Sequence, residues 1–419
     1  MVAASSRAAR VTSFVPASAE TQNSLERFFE EGGWGEPMTL LQQTELSETL
    51  PLSVIIPSYR GGSKLLRLVE SLLSCEGVPV DLVVVVDEPE EGTVEELSQL
   101  CAKGRCKLVV RRLRSGKVSA LNEAMALVDG DVVLFLDDDV VIEDPLFLKK
   151  VAKEMEDCDI ADIKKVVVGK GLLAKLVYVE YVAYNFASKL MAKLAGKTIA
   201  INGAAFAVRR EALQALGGFR RRLSEDFDLA LRAFLAGLRF KYIDGTYVLN
   251  YAPSSWEKWL KQRKRWAVAL ASWLKENWRS LISAARRMPH VLVAGLIVSL
   301  PSLLTTGLAL VLYNLAYAKA AYAILLPLAS LLREAIPFAA LFTVTLHVTY
   351  ATTTLALALL VALLGLLHVA ISKYVRMESR AHLLPVYLLF YQPLWLTVLL
   401  AGLIRVLLLG DEKVDDWVV

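Results

Sequence analysis

Three consecutive carboxylates, Asp137, Asp138 and Asp139, follow the apolar run VVLFL of residues 132–136. Crowded carboxylates repel one another and lose hydration, so such a cluster is expected where a cation offsets the charge or where water solvates the group. A polar strand end that only forms a turn is the alternative. Taken alone, the stretch predicts either a metal-binding site or a solvated turn.

The carboxyl ends of the other predicted strands are polar as well. The strand in PLSVIIPSYR ends in Pro57, Ser58 and Tyr59, and the strand in VDLVVVVDEP ends in Asp87 and Glu88. In open α/β sheets, ligands bind at the carboxyl ends of the strands. Successive polar ends at one edge favour a nucleotide-binding site over coincidental turns.

Neither standard glycine-rich phosphate loop is present. The segment SYRGGSKL lacks the G-x-G-x-x-G pattern of a dinucleotide fold, and RRLRSGKVS has Arg111 where a P-loop needs glycine. A bound diphosphate would therefore need positive charge from a divalent cation held by carboxylates. Oxygen ligands select a hard ion, and no cluster of His or Cys offers a zinc site, so we expect Mg²⁺ or Mn²⁺.

The elements that must position these residues alternate between strand and helix from residue 51 onward. Apolar runs such as SVIIP, LVVVV and VVLFL are separated by segments with helical spacing, GGSKLLRLVESLLSC and KVSALNEAMALV. Strands this apolar, separated by helices, predict a parallel sheet covered on both faces.

The second part of the chain is apolar and predicts a membrane domain. The blocks 290–332, 335–372 and 383–409 each exceed the roughly 20 apolar residues that a spanning helix needs. The net charge of +4 is small for 419 residues, and no aromatic-basic strand pattern is present, so we expect no nucleic-acid partner. The basic excess lies near the membrane, where anionic lipid headgroups attract it.

The first 50 residues lack the apolar core of a signal peptide, so we expect the soluble part to face the cytoplasm. The basic cluster around Lys373, Arg376 and Arg380 then returns to that side, and the last block crosses again. These considerations predict a multi-pass protein of the cell membrane with three crossings, in which Ser379 and Asp415 lie on opposite sides.

Four cysteines, Cys75, Cys101, Cys106 and Cys158, lie in the soluble part without a paired C-x-x-C spacing. We expect buried thiols. A bridge between Cys101 and Cys106 is the alternative if the source is a hyperthermophile.

Motifs in this order occur in a known family. They are Asp87 after the second strand, Asp137-x-Asp139, Glu225-Asp226 in LSEDFDLALRA, and Gln262-Arg263-x-x-Trp266 with Arg265 in KQRKRW. With them the chain resembles the membrane-bound family 2 glycosyltransferases of the cellulose-synthase-like branch. The resemblance implies an α/β GT-A nucleotide-sugar-binding domain with a mostly parallel Rossmann-like sheet, followed by amphipathic interface helices and an α-helical transmembrane domain.

The resemblance implies a nucleotide-sugar donor site with a divalent cation on Asp137 and Asp139. These two residues would share one face of an extended chain, a spacing that suits one ion. Asp87 would contact the base or ribose, although Glu88 and Pro89 depart from the family's pattern there. The implied donor residues are Pro57, Tyr59, Asp87, Lys117, Asp137, Asp138, Gln262, Arg263 and Arg265. For Lys117, the alternative is a solvated lysine.

The acceptor side is implied by the same resemblance. Asp226, with Glu225 beside it, would act as the general base in a transfer with inversion, although a carboxylate at a helix start often serves only as a cap. Trp266 would stack on an acceptor sugar, and Gly203 in INGAAFAVRREAL would lie on the acceptor side.

A positioned base is informative about the acceptor. A sugar hydroxyl needs deprotonation whereas a lipid monophosphate does not, which favours the sugar end of a polyprenyl- or dolichyl-linked glycan. Within the family the chain is similar to archaeal mannosyltransferases of lipid-linked glycan assembly, so GDP-mannose is the expected donor. The alternatives are a processive polysaccharide synthase using a UDP-sugar, a polyprenyl-phosphate sugar synthase, and a non-catalytic sensor or transporter.

The sequence predicts five segments: an N-terminal extension (1–50), the catalytic domain (51–250), amphipathic interface helices (251–288), the transmembrane domain (289–410) and a C-terminal tail (411–419).

Overall fold

The computed structural model describes residues 50–102, 106–289 and 336–413, together with parts of the stretch 306–327. The predicted N-terminal extension and most of the apolar block 290–332 lie outside the described residues, as does the end of the tail. The described residues belong to one compact unit.

In the described part of the chain, one eight-stranded sheet has the spatial order β3-β2-β1-β4-β7-β6-β8-β5. Its strands are β1 (Leu52–Tyr59), β2 (Val80–Asp87), β3 (Cys106–Arg111), β4 (Val132–Leu136), β5 (Val140–Val141), β6 (Ile160–Val168), β7 (Ala205–Arg209) and β8 (Phe240–Tyr251). Strands β1 to β4 form a parallel half, whereas β7 runs antiparallel to both β4 and β6. The sheet is therefore mixed, and its parallel half carries the alternating strands and helices that the sequence predicts.

Helices cover this sheet and continue beyond it. The helices are α1 (Ser63–Leu73), α2 (Thr93–Cys101), α3 (Lys117–Met125), α4 (Phe147–Glu154), α5 (Gly171–Ala195), α6 (Arg210–Ala215), α7 (Glu225–Leu235), α8 (Trp256–Arg287), α9 (Ile336–Tyr374) and α10 (Ala381–Leu407). Helix α10 includes a π-helical turn at Tyr387–Tyr391.

Each face of the sheet buries an apolar core. Because successive strand residues point to opposite faces, Val54 and Ile56 pack into one core while Ile55 packs into the other. Helices α1, α2 and α4 cover the first face, and α3 and α7 cover the second. Coverage on both faces explains why the strands are apolar at consecutive positions.

The parallel register brings the polar strand ends together. Tyr59 at the end of β1 lies opposite Asp87 at the end of β2, and β1 also pairs with β4, whose end precedes Asp137. The predicted convergence of polar ends at one sheet edge is therefore confirmed. The architecture is the GT-A-like domain that the family resemblance implies, with a mixed sheet that includes antiparallel pairs.

The cysteines depart from the expectation of buried thiols. Cys101 at the end of α2 and Cys106 at the start of β3 form a disulfide, with a Cα–Cα distance of 4.7 Å. Cys75 and Cys158 are free. The short helix-to-strand connection brings the first two sulfurs into bonding distance, so the bridge that was the alternative is the one present.

Two helices in the described residues are long and apolar enough to cross a membrane, Ala340–Tyr374 within α9 and Ala381–Leu407, which is α10. They correspond to the second and third apolar blocks of the sequence. By length and composition alone, these two helices meet the requirement for a membrane span.

A buried ion pair joins α5, α8 and α10. The guanidinium of Arg263 donates two hydrogen bonds to the carboxylate of Glu180, one of them at 2.9 Å, and both side chains are almost completely buried. The Tyr391 hydroxyl donates to the same carboxylate at 2.8 Å, and Trp259 Nε1 donates to Tyr391 at 3.0 Å. A charge pair this buried needs each of its partners, because either charge alone would be desolvated without compensation.

We expect Arg263→Met to lower the free energy of unfolding by about 3–5 kcal/mol, because Glu180 would remain buried without a counter-charge. The double variant Arg263→Met, Glu180→Gln should recover much of that loss. Thermal and denaturant unfolding in detergent would measure both. Arg222→Met is the matched control, since its pair with Glu276 is exposed and should contribute under about 1 kcal/mol. An equal loss in Arg263→Met and the control would contradict this account.

Candidate active site

A cavity of about 880 Å³ opens at the carboxyl edge of the parallel strands. It is bounded by β1, β2 and the segment after β4, by the first turns of α3 and α7, and by faces of α5, α8 and α10. The residues that the sequence predicts for the site and that line this cavity are Pro57, Tyr59, Asp87, Lys117, Asp137, Asp138, Asp139, Gly203, Glu225, Asp226, Gln262, Arg265 and Trp266. Arg263 is the one predicted residue that does not line it.

The three aspartates form a turn and not the extended chain that the sequence analysis assumes. The Val140 N–H donates to the carbonyl of Asp137 at 3.4 Å, which closes the turn between β4 and β5. The physical reason is that β5 leaves the β4 direction to pair with β8 at the far edge of the sheet. Asp137, Asp138 and Asp139 nevertheless all line the cavity, so the turn brings three carboxylates to one wall.

Lys117 connects two carboxylates from distant parts of the chain. Its Nζ lies 2.8 Å from Asp137 Oδ1 and 2.8 Å from Glu225 Oε1. Burial alone would lower the pKa of the Lys117 ammonium, but the two carboxylates outweigh burial and raise the pKa well above its ordinary value. The alternative of a solvated lysine is wrong, because only 20% of the side chain is exposed.

Asp87 orders the basic loop that precedes α3. Its Oδ2 accepts the N–H groups of Ser115 and Gly116 at 3.0 and 3.1 Å, and its Oδ1 lies 2.8 Å from Arg111 Nε. Gly116 has a φ of 87°, a conformation that glycine adopts without strain. The carboxylate therefore fixes the loop that presents Lys117, and its predicted contact with a base or ribose stays a prediction.

An aromatic and guanidinium pair lies at the cavity wall beside this loop. Tyr59 donates its hydroxyl to Glu88 at 3.2 Å, and the guanidinium of Arg114 lies 4.1 Å from the Tyr59 ring centroid. Both residues line the cavity. Tyr59 was among the predicted residues, but Arg114 was not. The sequence RRLR does not indicate which of its three arginines faces the cavity.

The aspartate turn is strongly anionic. Burial, with the charges of Asp139 and Asp137, raises the pKa of Asp138 to about 6, although a hydrogen bond from the Ser58 hydroxyl opposes this. Burial and the charge of Asp137 also raise the pKa of Asp139. A raised pKa means that the ionised form of a carboxyl group is destabilised, here by burial and by neighbouring negative charge. A bound cation would offset that destabilisation.

The carboxylates of this turn are of the ligand type that suits a hard divalent cation. Asp137 and Asp139 supply carboxylate oxygens, the ligand type that Mg²⁺ and Mn²⁺ prefer. No group of three or more His, Cys, Asp or Glu side chains within the described ranges is arranged to hold a metal ion by itself. A cation bound by two carboxylates and by phosphate oxygens of a ligand is the arrangement consistent with both facts.

Asp226 lies at the start of α7 and contacts the opposite wall. Its Oδ2 accepts the Gly203 N–H at 2.9 Å and its Oδ1 accepts the Phe227 N–H at 2.8 Å. A Cβ on Gly203 would lie 2.8 Å from Asp226 Oδ2, so a larger residue there would displace the carboxylate from this position. Burial, with a contribution from the Glu225 charge, raises the pKa of Asp226 to about 7. The carboxylate partly caps the helix and is also poised to exchange a proton near neutral pH.

Helix α8 contributes Gln262, Arg265 and Trp266 to the cavity. Burial lowers the pKa of the Arg265 guanidinium, while the charges of Asp137 and Glu225 oppose that effect. Arg263 instead lies behind this face, with its guanidinium 4.3 Å from the Trp266 ring centroid and paired to Glu180. The structure therefore places Arg263 away from the predicted donor residues.

Part of the lining has no counterpart in the sequence analysis. Asp162 accepts hydrogen bonds from Ser188, at 2.6 Å, and from the buried Lys165. The polar residues Asp162 and Lys165 within the apolar strand IADIKKVVV were the available signal. The α10 side chains that line the cavity, which are Gln392, Trp395, Leu396 and Leu399, gave no signal because they are part of an apolar block.

Comparison with known proteins identifies related sequences. The profile of the family described as "Glycosyltransferase like family 2" matches residues 50–269. The chain is 24% identical over 257 residues to "Probable glycosyltransferase YdaM" of Bacillus subtilis (strain 168), covering 57% of this chain and 61% of that protein. It is 23% identical over 265 residues to the "Poly-beta-1,6-N-acetyl-D-glucosamine synthase" of Staphylococcus epidermidis, covering 62% and 64%. The chain thus spans less than two thirds of the length of these relatives.

One solved structure covers most of both chains. It is "Mannosyltransferase PcManGT from Pyrobaculum calidifontis in complex with GDP-Man and Mn2+", at 18% identity and a TM-score of 0.46, covering 81% of this chain and 93% of that chain. A shorter segment of 76 residues is 40% identical to "Probable glucomannan 4-beta-mannosyltransferase 14" of Arabidopsis thaliana, covering 18% and 14%.

We expect Lys117→Met to lower the free energy of unfolding by about 3 kcal/mol near neutral pH, because Asp137 and Glu225 would lose their shared counter-charge. Added Mn²⁺ should restore part of that stability by neutralising Asp137. Unfolding midpoints with and without Mn²⁺ would measure both effects. Lys107→Met serves as the control, since Lys107 pairs with Asp81 at the surface and contributes under about 1 kcal/mol. A loss no larger than in this control would show that Lys117 is dispensable to the site.

Proposed function

The chain belongs to the glycosyltransferase-like family 2, and from that membership we propose that it is an inverting, membrane-associated glycosyltransferase. In this proposal a sugar moves from a nucleoside diphosphate donor to a hydroxyl of a lipid-linked glycan. The observation that carries it is the position of Lys117, which ties Asp137 of the aspartate turn to Glu225 beside Asp226 in one cavity. A cation-binding edge and a titrating base within one cavity are the two parts that such a transfer needs.

The donor diphosphate would bind at the aspartate turn. Asp137 and Asp139 would hold Mn²⁺ or Mg²⁺, which when bound offsets the negative charge that develops on the departing diphosphate. Lys117 and Arg265 face the same space and would contribute further positive charge to the diphosphate. The ring of Tyr59 offers a flat surface for the base.

The transfer itself would depend on Asp226. Its carboxylate would accept the proton of the attacking acceptor hydroxyl, whose oxygen then bonds to the anomeric carbon while the bond to the diphosphate breaks. The attack comes from the face opposite the leaving group, so configuration is inverted. The Gly203 N–H holds the carboxylate in place, and a pKa near 7 keeps a useful fraction ionised at neutral pH.

The acceptor would approach from the membrane side of the cavity. Trp266 lines this part with the α10 residues Trp395, Leu396 and Leu399, which form an apolar wall next to the polar donor edge. A glycan with a hydrophobic anchor suits that combination, because the sugar can stack on an indole ring while the anchor stays in lipid. We therefore propose a polyprenyl- or dolichyl-linked glycan as acceptor, with the catalytic domain in the cytoplasm.

For the donor sugar we propose mannose, carried by GDP. The support is the segment similar to "Probable glucomannan 4-beta-mannosyltransferase 14". A second candidate is a synthase that extends a polymer from a UDP-sugar, favoured by the similarity to the "Poly-beta-1,6-N-acetyl-D-glucosamine synthase". Incubation with a panel of nucleotide sugars and isoprenoid-linked acceptors, read by mass spectrometry, distinguishes one added sugar from a ladder of products.

Asp139→Asn should abolish the Mn²⁺-dependent part of nucleoside diphosphate binding and reduce transfer to background, because one of two carboxylate ligands would be lost. Isothermal titration with GDP, with and without Mn²⁺, measures binding independently of turnover. Asp129→Asn is the matched control, since the Asp129 side chain is 94% exposed and remote from the cavity. Unchanged transfer by the wild-type enzyme in excess EDTA would refute the cation requirement.

Asp226→Asn should lower kcat by about 10² to 10⁴, the usual contribution of a positioned base, while donor binding changes little. In the wild-type enzyme, kcat/KM should rise with pH and level off above about pH 7, since Asp226 is protonated and inactive as a base below its raised pKa. This acid limb should disappear from the residual activity of Asp226→Asn. If the variant lost thermal stability but kept its turnover, Asp226 would be a helix cap only.

A further inference from the structure

Helix α10 lies side by side with α8 and runs in the same direction. The contacts between them, in order along both helices, are Trp256 with Phe390, Trp259 with Tyr391, Arg263 with Trp395, Ala267 with Gly402, Val268 and Ala271 with Val406, and Lys275 with Glu412. A Cβ on Gly402 would lie 2.6 Å from the Cβ of Ala267, so the two helices touch closely near the middle. Because the two helices pack in parallel over this whole length, α8 and α10 must have the same orientation and span the same range of depths in any membrane.

Helix α8 cannot cross a bilayer. Within the part that contacts α10, the lysines Lys258, Lys261, Lys264 and Lys275 are exposed. Charged side chains in the hydrocarbon region are costly unless they face a partner or water. Trp259 and Arg263 on the other side of this helix are buried against protein, and Gln262 and Trp266 reach the cavity. Because α10 packs along α8, α10 is therefore held on the same side of the membrane as the catalytic domain.

Both ends of α10 are attached to the catalytic side. Before its start, Lys164 of β6 donates to the carbonyl of Arg376 at 2.7 Å, and Lys189 of α5 donates to the carbonyl of Tyr374 at 2.8 Å. After its end, Glu412 lies 2.8 Å from Lys275 of α8. A helix that crossed the bilayer would carry its second end to the opposite side, away from α8.

The outer surface of α10 is an apolar stripe. It consists of Val386, Leu389, Phe390, Leu400, Ile404, Leu407 and Leu408, whose exposed fractions range from 40% to 76%. The helical spacing of these positions places them on one side of the helix, opposite Tyr391, Trp395, Gly402 and Val406, which contact α8. Phe390 lies at the margin of the stripe, where its ring meets that of Trp256. The preceding helix α9 is apolar over its candidate span as well.

We propose that α10 does not cross the bilayer but lies in the plane of its catalytic-side surface, with this apolar stripe in the lipid. The partner of the stripe is the boundary between acyl chains and headgroups, where the apolar side chains of an in-plane helix enter lipid. The third crossing expected from the sequence is then absent, and Ser379 and the C-terminal end lie on the same side. This inference concerns the membrane contact and does not depend on which sugar is transferred.

The consequence for the site is a short path between lipid and cavity. The face of α10 that carries Trp395, Leu396 and Leu399 lines the cavity, while the stripe of the same helix faces lipid. A helix in the membrane plane with these two faces separates the bilayer from the cavity by one helix diameter, about 10 Å.

Depth measurements test the orientation of α10 in the full chain. Nitroxide labels would be placed singly at Leu389→Cys, Leu400→Cys and Leu408→Cys, in a background of Cys75→Ser and Cys158→Ser, and their depth in liposomes measured from collisions with oxygen and a nickel chelate. All three sites are exposed, so the fold should tolerate them. A helix in the membrane plane should give three similar label depths, about 5–10 Å into the boundary between headgroups and acyl chains.

A crossing helix would give a different depth profile. Since a helix rises about 1.5 Å per residue, Leu389 and Leu408 would then differ by up to about 28 Å along the membrane normal, with Leu400 between them. That profile would overturn the proposal. Labels at the exposed α9 residues Leu341 and Leu366 provide a comparison helix in the same protein.

Sidedness gives an independent readout. In sealed vesicles that expose the catalytic domain, an impermeant maleimide should label Lys413→Cys to the same extent as Ser98→Cys, an exposed site on α2. Labelling of Lys413→Cys only after detergent is added would place the end of α10 across the bilayer and would contradict the proposal.

Discussion

The ammonium of Lys117 lies 2.8 Å from a carboxylate oxygen of Asp137 and 2.8 Å from one of Glu225. Without it, the aspartate turn and the start of α7 would bring negative charges to one cavity with little compensation, and repulsion would separate the two walls. The Lys117 ammonium thus connects the wall formed by the aspartate turn with the wall that carries Asp226. Burial, together with the charges of neighbouring carboxylates, still raises the pKa values of Asp138 and Asp226, so Lys117 does not offset the whole cost of ionising this cluster.

The buried pair of Glu180 and Arg263 also positions a wall of the cavity, the one that α8 contributes. Arg263 lies directly behind Trp266, so the pair positions the cavity face of α8 from the rear. Tyr391 on α10 donates to the same carboxylate, which connects α10 to the cavity face of α8. Charge pairing next to the cavity and the packing of α8 against α10 are therefore parts of one arrangement.

The fold was largely predictable from the sequence, because consecutive apolar residues in β1, β2 and β4 require a sheet covered on both faces and parallel strands bring their ends together. Most of the residues predicted for the site do line the cavity, and they were found from the polar strand ends and otherwise from the family resemblance. The orientation of side chains was not predictable. Asp137 and Asp139 lie in a turn because β5 changes direction. Arg263 points into the protein interior because it pairs there with Glu180, which is far away in the sequence. Such long-range pairing leaves no periodic signal.

The central claim is that the aspartate turn and the cavity above it form a cation-dependent site for a nucleoside diphosphate. Anomalous diffraction from crystals grown with Mn²⁺ and GDP tests this claim most directly. The account predicts one manganese peak at about 2.0–2.2 Å from oxygens of Asp137 and Asp139, with the diphosphate completing the coordination near Lys117. A nucleotide bound in the cavity without manganese at the turn, or manganese bound elsewhere in the protein, would contradict it.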